Sequence, residues 1–396
     1  MKTSWKYAKI GDVCTVERGG SPRPIDKYIT DDLSGINWIK IGDTDDSMYI
    51  TKTSQKIIPE GMKKSRYVQP GDFLLYNSMS FGRPYILKIE GCIHDGWLVL
   101  RDNDGVFDKR FLYYYLSSPS TYNKFKSMAV GGVVNNLNSE MVRNVMVPVP
   151  PLSEQIEIAT ILDKADDLIS LRKKQLAKLD ELVKSRFIEM FGDPKHSAKY
   201  GTRKLSSCVA NKADMVDGPF GSQVNTKVDY IENGEVPVIR TVNVKMMQFS
   251  ADDLKFMSRE KYETVIRSQV LPGDVVLTKV GTIGNVCIFP DEYQEAVLST
   301  TGSCRIRVDE RVVNKVFFAY NLLYLKDKLL EIASTGVQPF LNMNHIKNID
   351  VLDVPLEQQA LFAVFVEQTD KSKVEIQKSL EKLETLKKAL MQEYFG

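Results

Sequence analysis

The strongest constraint on the fold is a long internal repeat. Residues 151–192 align with residues 355–396 without a gap, at a shift of 204 positions, and 14 of the 42 aligned residues are identical. Neither copy contains a proline or glycine between its opening Pro-Leu and its closing Phe-Gly. Proline and glycine are the residues that most often interrupt a helix, so each copy is predicted to form one long helix.

Both predicted helices carry an apolar seam. Apolar residues recur at alternating steps of three and four, which places them along one side of a helix and is typical of a helix that packs against another helix. The seam positions are Leu162, Ala165, Ile169, Leu176, Leu179 and Val183 in the first copy, and Val366, Ile376, Leu380, Leu383 and Leu390 in the second. Charged residues interrupt the seam at Arg172, Lys373 and Lys387. We expect the two helices to pair as an antiparallel coiled coil.

The regions before the two helices also repeat, but more loosely. Pro70-Gly71-Asp72 is matched by Pro272-Gly273-Asp274, and Leu137-Asn138 is matched by Leu341-Asn342. Each Pro-Gly-Asp is interpreted as a turn that leads into a strand, and each asparagine as a cap of a local turn.

Short β-rich runs between turn residues predict an α+β protein with two mixed α/β domains, each followed by one long helix. The predicted boundaries are 1–150 for the first domain, 151–192 for the central helix, 193–354 for the second domain and 355–396 for the C-terminal helix.

Composition narrows the class of protein. The 396 residues carry a net charge of only +2, so any nucleic-acid surface must come from local clustering of basic residues. No apolar run approaches the ~18 residues that a membrane-spanning helix requires, and the N-terminus lacks the apolar core of a signal peptide. The five cysteines are widely spaced and include no C-x-x-C pair, which favours reduced thiols and a cytoplasmic location.

Motifs for catalysis are missing from the sequence. It has no G-x-x-x-x-G-K-[ST] phosphate-binding loop, and no Asn/Asp-Pro-Pro-aromatic motif of an amino-methyltransferase. The three histidines, His94, His196 and His345, are too far apart in sequence to suggest a metal site. The D-x-K triplet at Asp253–Lys255 occurs in nucleases, but it is interpreted here as a solvated charge pair. We therefore predict a non-catalytic chain with no cofactor and no metal.

The order of these features resembles the specificity subunit of Type I restriction–modification systems. The resemblance rests on P-L-x-E-Q at residues 151–155, F-G at the end of each repeat, F-G-D-P at residues 191–194, P-G-D before a strand, and the duplicated G-x-x-x-x-L-N segment. It covers essentially the whole chain. The second copy departs slightly, since Gln358 stands where the first copy has Glu154.

The resemblance implies a protein that recognises DNA. Each globular domain would be a target recognition domain for one half of a bipartite sequence with a nonspecific spacer, and the paired helices would set the distance between the halves. The chain would bind double-stranded DNA and recruit two modification (methyltransferase) subunits and a restriction subunit, which would carry out DNA methylation and cleavage.

Two other functions are left open by the residues themselves. A coiled-coil scaffold that binds only proteins is compatible with the modest net charge, although it does not explain two large divergent domains. A self-contained methyltransferase or nuclease is disfavoured by the missing motifs.

Residues that contact DNA are expected to be polar or basic and to lie on loops. Arginine suits guanine and Asn or Gln suits adenine, whereas Lys, Ser and Thr more often bind phosphates. The candidates are Arg18, Ser21, Arg23, Lys40, Asn77, Ser80 and Arg83 in the first domain, and Ser222, Gln223, Arg240, Asn243, Thr278, Lys279 and Thr282 in the second.

Residues that bind a partner subunit are expected on the helices, away from the seam. The candidates are Leu168, Leu182, Phe187 and Leu386. The alternative is that these side chains pack on their own recognition domains.

Overall fold

The computed structural model describes residues 5–77, 82–129, 136–194, 196–334 and 339–396. The chain forms two compact units. Unit 1 takes in the chain up to Lys174 together with Gln377–Gly396, and unit 2 consists of Gln175–Ile376. Each long helix therefore contributes one part to each unit.

The described residues of unit 1 form three sheets, five short helices and one part of each long helix. Its strands are β1 (Lys6–Lys9), β2 (Thr15–Arg18), β3 (Ile29–Thr30), β4 (Ile36–Ile39), β5 (Tyr49–Ile50), β6 (Gln55–Ile57), β7 (Arg66–Val68), β8 (Phe73–Tyr76), β9 (Pro84–Leu87), β10 (Gly91–Ile93), β11 (Trp97–Arg101) and β12 (Met146–Val149). Its helices are α1 (Ile10–Val13), α2 (Pro59–Met62), α3 (Lys109–Ser117), α4 (Pro119–Ala129), α5 (Ser139–Arg143) and the first part of α6 (Leu152–Phe191). The sheet orders are β1-β12, β3-β6-β4-β10-β7 and β2-β11-β8-β9-β5.

Unit 2 repeats this plan, but its two larger sheets have four strands each, where those of unit 1 have five. Its strands are β13 (Gly192–Asp193), β14 (Ser197–Ala198), β15 (Thr202–Lys204), β16 (Met215–Asp217), β17 (Val236–Ile239), β18 (Lys255–Met257), β19 (Gln269–Val270), β20 (Val275–Thr278), β21 (Val286–Ile288), β22 (Ala296–Leu298), β23 (Ser303–Ile306) and β24 (Asp350–Leu352). Its further helices are α7 (Arg259–Thr264), α8 (Lys315–Tyr324), α9 (Lys326–Ile332), α10 (Met343–Lys347) and the first part of α11 (Leu356–Phe395). The sheet orders are β13-β14, β15-β24, β16-β23-β20-β21 and β18-β17-β22-β19.

One sheet in each unit is buried on both faces. In β8, Phe73 and Leu75 point towards the helices, whereas Leu74 and Tyr76 pack in a second core against the other sheet. Successive side chains of a strand point to opposite faces, so a strand buried on both sides must be apolar throughout. This explains why the strand that follows each Pro-Gly-Asp is so apolar.

The predicted turns and caps are confirmed. Gly71 and Gly273 have φ angles of +94° and +86°, and Asp72 and Asp274 accept the backbone N–H of the residue three positions earlier. Asn138 caps α5 and Asn342 caps α10 by accepting the N–H three residues ahead.

The glutamine in each P-L-x-x-Q motif is buried and links two segments of the chain by hydrogen bonds. Gln155 accepts the N–H of Asp108 and donates to the carbonyl of Pro150. Gln359 likewise accepts the N–H of Asn314 and donates to the carbonyl of Val354. Each glutamine thus ties the start of a long helix to the residue that caps α3 or α8, which gives a physical reason for its identity in both copies.

The two long helices run antiparallel, as predicted. In unit 1, Asp166 and Lys173 of α6 pair with Lys387 and Glu384 of α11. In unit 2, Lys373 pairs with Asp180 at 2.7 Å, and the rings of Phe187 and Phe362 lie 5.3 Å apart. The lysines that interrupt the seam therefore meet carboxylates on the opposite helix.

Candidate nucleic-acid interface

Each unit has a groove at the same place in its fold. In unit 1 it lies where the parallel strands β4 and β10 end, and in unit 2 where the parallel strands β17 and β22 end. Neighbouring parallel strands end at the same edge of a sheet, so the loops that follow them come together there. Groove 1 is lined by residues 21–26, Trp38, Lys40 and His94. Groove 2 is lined by Thr226, Tyr230, Arg240, Thr241, Lys255, Val280, Gly281, Ser299, Thr300 and Gly302.

Strand register identifies equivalent residues in the two grooves. Ile39 pairs with Ile93, and Ile239 pairs with Leu298. The residues that follow are therefore equivalent: Lys40 corresponds to Arg240, His94 to Ser299 and Asp95 to Thr300. Two of the candidates chosen from the sequence, one in each domain, thus occupy the same position.

A glycine holds one wall of each groove against the loop that follows the parallel strand. A Cβ atom on Gly19 would lie 2.1 Å from the carbonyl oxygen of His94, and a Cβ atom on Gly218 would lie 1.7 Å from that of Ser299. Both distances are far inside van der Waals contact, so only glycine fits at these positions. The loops after β2 and β16 are fixed in place by this close approach.

In groove 1, four of the predicted DNA contacts surround one aspartate. Asp95 accepts hydrogen bonds from Ser21 Oγ (2.9 Å) and Arg23 Nη2 (3.2 Å) at its carboxylate, and from Arg18 Nε (3.2 Å) and Asn77 Nδ2 (2.7 Å) at its backbone carbonyl. Partial burial alone would raise the pKa of Asp95, but the hydrogen bonds from Ser21 and Arg23 lower it. The carboxylate is therefore charged and central, although the sequence did not point to it.

Lys40 and His94 also line groove 1. The N–H of Lys40 is capped by Asp43, and its ammonium donates to Gln55 Oε1 at 2.7 Å. The imidazole Nδ1 of His94 accepts the N–H of Gly96 at 2.7 Å, and burial lowers the pKa of His94. His94 is therefore a neutral structural support at neutral pH.

Groove 2 has a different distribution of charge. Arg240 and Lys255 both pair with Asp253, at 2.8 and 2.9 Å, and these two partners lower the pKa of Asp253 to about 2. The D-x-K triplet is thus an ion pair that belongs to the groove wall. The residue equivalent to Asp95 is Thr300, which has no charge.

Burial contradicts the prediction that Asn243 and Thr278 contact DNA. Asn243 is fully buried, and its amide accepts the N–H of Arg240 and donates to the carbonyls of Ser250 and Asp252. Thr278 is also fully buried, and its hydroxyl donates to the carbonyl of Thr282. These side chains shape the loops of groove 2 and do not reach its surface, because their hydrogen-bonding groups are used internally.

Two further candidates, Asn77 and Lys279, are almost completely buried. Asn77 is 3% exposed and donates to Asp95, whereas Lys279 is 5% exposed and pairs with Asp217 at 3.3 Å. Strand pairing places Asn77 and Lys279 in equivalent positions, directly after β8 and β20. We expect them to position other residues.

The remaining candidates lie outside the two hydrogen-bonded clusters. Arg83 donates to the carbonyl of Asp45 and lies over the ring of Tyr85. Ser222, Gln223 and Thr282 are exposed. Ser80 lies outside the described residues. Phe220, which is 54% exposed next to Ser222, was missed because exposed aromatics carry no periodic signal in the sequence.

The predicted partner-binding residues separate into two groups. Leu168, Leu182 and Leu386 are about half exposed and available to a partner. Phe187 is fully buried among Phe191, Phe317 and Phe362 of unit 2, which corrects its assignment to a partner surface.

A known family matches almost the whole chain. The family model described as the Type I restriction modification DNA specificity domain matches residues 2–181 and 220–388. The chain belongs to this family. Recognition of specific DNA sequences for a Type I restriction–modification system is thereby its function, as the resemblance implied.

Curated relatives cover the same length. The Type I restriction enzyme MjaVIII specificity subunit of Methanocaldococcus jannaschii is 24% identical over 98% of this chain and 91% of its own. The EcoBI specificity subunit of Escherichia coli is 21% identical over 85% of this chain and 75% of its own.

Solved structures share the fold. A structure described as the basis of complex assembly and conformational transition of the type I R-M system has a TM-score of 0.62, at 17% identity, over 100% of this chain and 98% of its own. The S subunit of a Type I system from M. genitalium has a TM-score of 0.56, at 15% identity, over 100% and 97%. The predicted architecture is confirmed.

In the part of the chain that the structure describes, no helix is long and apolar enough to cross a membrane, and no group of His, Cys, Asp and Glu side chains is arranged to hold a metal ion.

Proposed function

We propose that groove 1 and groove 2 each read one half of a bipartite DNA target. The observation that carries this proposal is the pair of equivalent grooves with different chemistry. The fold puts Lys40 and Arg240 at the same position, yet the loops that follow the neighbouring parallel strands differ in charge, with Asp95 at the edge of groove 1 and Thr300 in groove 2. Because base edges are read by side chains, two grooves with the same backbone and different side chains are suited to two different base sequences.

The two long helices would set the spacing between the halves. Each is 40 residues long and contributes to both units. A change in helix length is therefore expected to change the spacer between the half-sites without changing the bases in either half.

We further propose that the chain recruits two modification subunits and a restriction subunit in the cytoplasm and carries out no chemistry itself. Leu168, Leu182 and Leu386 are the candidate contacts for the modification subunits, since they are exposed apolar residues on the helices. Exposed apolar side chains of this kind mark protein interfaces when they cluster.

The test is to co-express the full chain with its modification subunit and to map methylated sites in the host DNA by sequencing. We expect a split motif with a fixed spacer. Inserting four residues into each long helix, after Lys174 and after Ile376, lengthens it by about 6 Å. Since one base pair spans about 3.4 Å, the spacer should then grow by up to about two base pairs.

A matched pair of variants assigns the halves. Lys40→Ala should weaken selection in one half only, and Arg240→Ala in the other. Methylation without a split motif, or a motif whose two halves respond together to either variant, would contradict the proposal.

A further inference from the structure

Asp95 is an acidic residue in a place that should favour cations. It lies on the loop after β10, at the edge of groove 1, and its side chain is 42% exposed. A free carboxylate there would repel the phosphates of DNA. The carboxylate of Asp95 therefore either pairs with a cation of the protein or takes part in DNA recognition.

The contacts of Asp95 resemble those that a DNA site would make. Arg23 is 82% exposed, and its described ion-pair partner is the carboxylate of Asp95, 3.2 Å away. Arg18 donates to the carbonyl of the same residue. A carboxylate offers a guanidinium two acceptor oxygens, as the O6 and N7 atoms of guanine do.

Several hydrogen bonds join the loops around Asp95. Ser21 Oγ is 2.9 Å from the carboxylate, and Gly19 and Gly20 donate their N–H groups to the carbonyls of Trp97 and Ile93. The loop that carries Arg23 is therefore attached to both sides of the loop that carries Asp95. In the protein without DNA, the guanidinium of Arg23 therefore lies beside the carboxylate of Asp95.

We propose that Asp95 determines specificity in groove 1 as a positioning residue. In the protein without DNA, its carboxylate pairs with Arg23 in the way that the edge of a base does in the complex. A base pair with two suitable acceptors, such as guanine, takes the place of this carboxylate when groove 1 binds its half-site. This inference rests on the proposed function of groove 1.

Among the described residues of unit 2, no carboxylate stands at the position of Asp95, which is occupied by Thr300. The partly buried Asp217 pairs with Cys304 as Arg18 pairs with Leu98, so Asp217 stands where unit 1 has Arg18. Asp217 pairs with Arg267 and Lys279, and neither of these lines groove 2. A change at Asp95 should therefore affect only the half-site that groove 1 reads.

The test is Asp95→Asn in the full chain, co-expressed with the modification subunit. Asparagine keeps the shape and an acceptor for Ser21 but removes the charge that holds Arg23. We expect one half of the methylated motif to become degenerate, with at least about a tenfold loss of discrimination at one position, while the other half stays intact. In DNA binding by the purified complex, the slope of log K against log salt should steepen by about 1, as one more cation becomes free for phosphates.

The matched control is Glu310→Gln. Glu310 pairs with Lys315 at the start of α8 and lies outside groove 2, and the substitution makes the same change in net charge. It should leave both halves of the motif and the salt slope unchanged.

Two results would overturn the inference. One is an unchanged motif in Asp95→Asn when wild type shows a split motif. The other is an equal loss of methylation at all sites with the motif preserved, which would indicate a purely structural role. If wild type itself shows no split motif, the proposed function fails first, so the two failures are distinguishable.

Discussion

The segments beside the two grooves have the same frame but opposite placements of charge. In unit 1 the acid Asp95 stands on the loop after β10, and it contacts Arg18 at the end of β2 and Arg23 on the loop that follows β2. In unit 2 the acid, Asp217, stands at the position of Arg18, and the cation Lys279 comes from the end of β20. The backbone of the groove thus fixes where side chains stand, and the identity of those side chains is free to differ.

The glycines that fix the loops should give the largest effect. Gly19→Ala and Gly218→Ala place a methyl group on a carbonyl oxygen, which should cost about 1–3 kcal/mol of stability and displace one groove loop. We expect Gly19→Ala to abolish selection in one half-site and Gly218→Ala in the other, as measured by sequencing of methylated DNA. Gly201→Ala is the control, since a Cβ atom there has nothing within 4 Å.

The equivalent cations should give the next largest effect. Lys40→Ala and Arg240→Ala should each weaken binding to the cognate site by about 1–3 kcal/mol if the side chain reads a base. Titrations with DNA altered in one half-site distinguish the roles. A base reader loses preference in its own half, whereas a phosphate contact loses affinity for all sequences and lowers the salt slope by about 1.

Substitution of the buried Asn243 beside groove 2 should change the stability of the protein more than its DNA recognition. Asn243→Ala leaves the carbonyls of Ser250 and Asp252 without their donor, which should lower the free energy of unfolding by about 1–2 kcal/mol. Its counterpart Asp43 caps the N–H groups of Lys40 and Ser54 at a less buried site, so Asp43→Ala should cost less. Denaturant unfolding measures both, and a larger loss for Asp43→Ala would contradict the equivalence.

A pH difference between the units should give the smallest effect. Burial lowers the pKa of His94 below its usual value of 6.5, whereas Ser299 at the equivalent position does not titrate. Between the folded and unfolded pKa values the unfolded chain binds more protons, so stability should fall as the pH drops below about 6.5. The stability of wild type relative to His94→Gln should therefore decline over this range. An unchanged difference between the two proteins would show that His94 does not sense pH.

The helices and strands were predictable because their signals are local. The bounds of the two long helices follow from proline at one end and glycine at the other. The turn role of Asp72 and the caps of Asn138 and Asn342 were likewise visible, since each acts on a backbone group three residues away.

The grooves were only partly predictable, because their residues meet across long stretches of sequence. Lys40 and Arg240 were identified separately, but their equivalence emerged only from strand register. Asp95 was missed because a single aspartate between two strands is typical of any turn. Asn243 was misassigned because the same side chain suits a base contact and a buried cap, and only burial distinguishes the two.

The division of the long helices between the units has a consequence for synthesis on the ribosome. Unit 2 is one continuous segment, whereas unit 1 needs Gln377–Gly396, where Phe395 packs against Phe111 and Tyr115. The unit whose strands are translated first is therefore completed last, after unit 2 has left the exit tunnel. A chain released after Ile376 would carry every residue of unit 2 but a unit 1 whose core lacks Phe395.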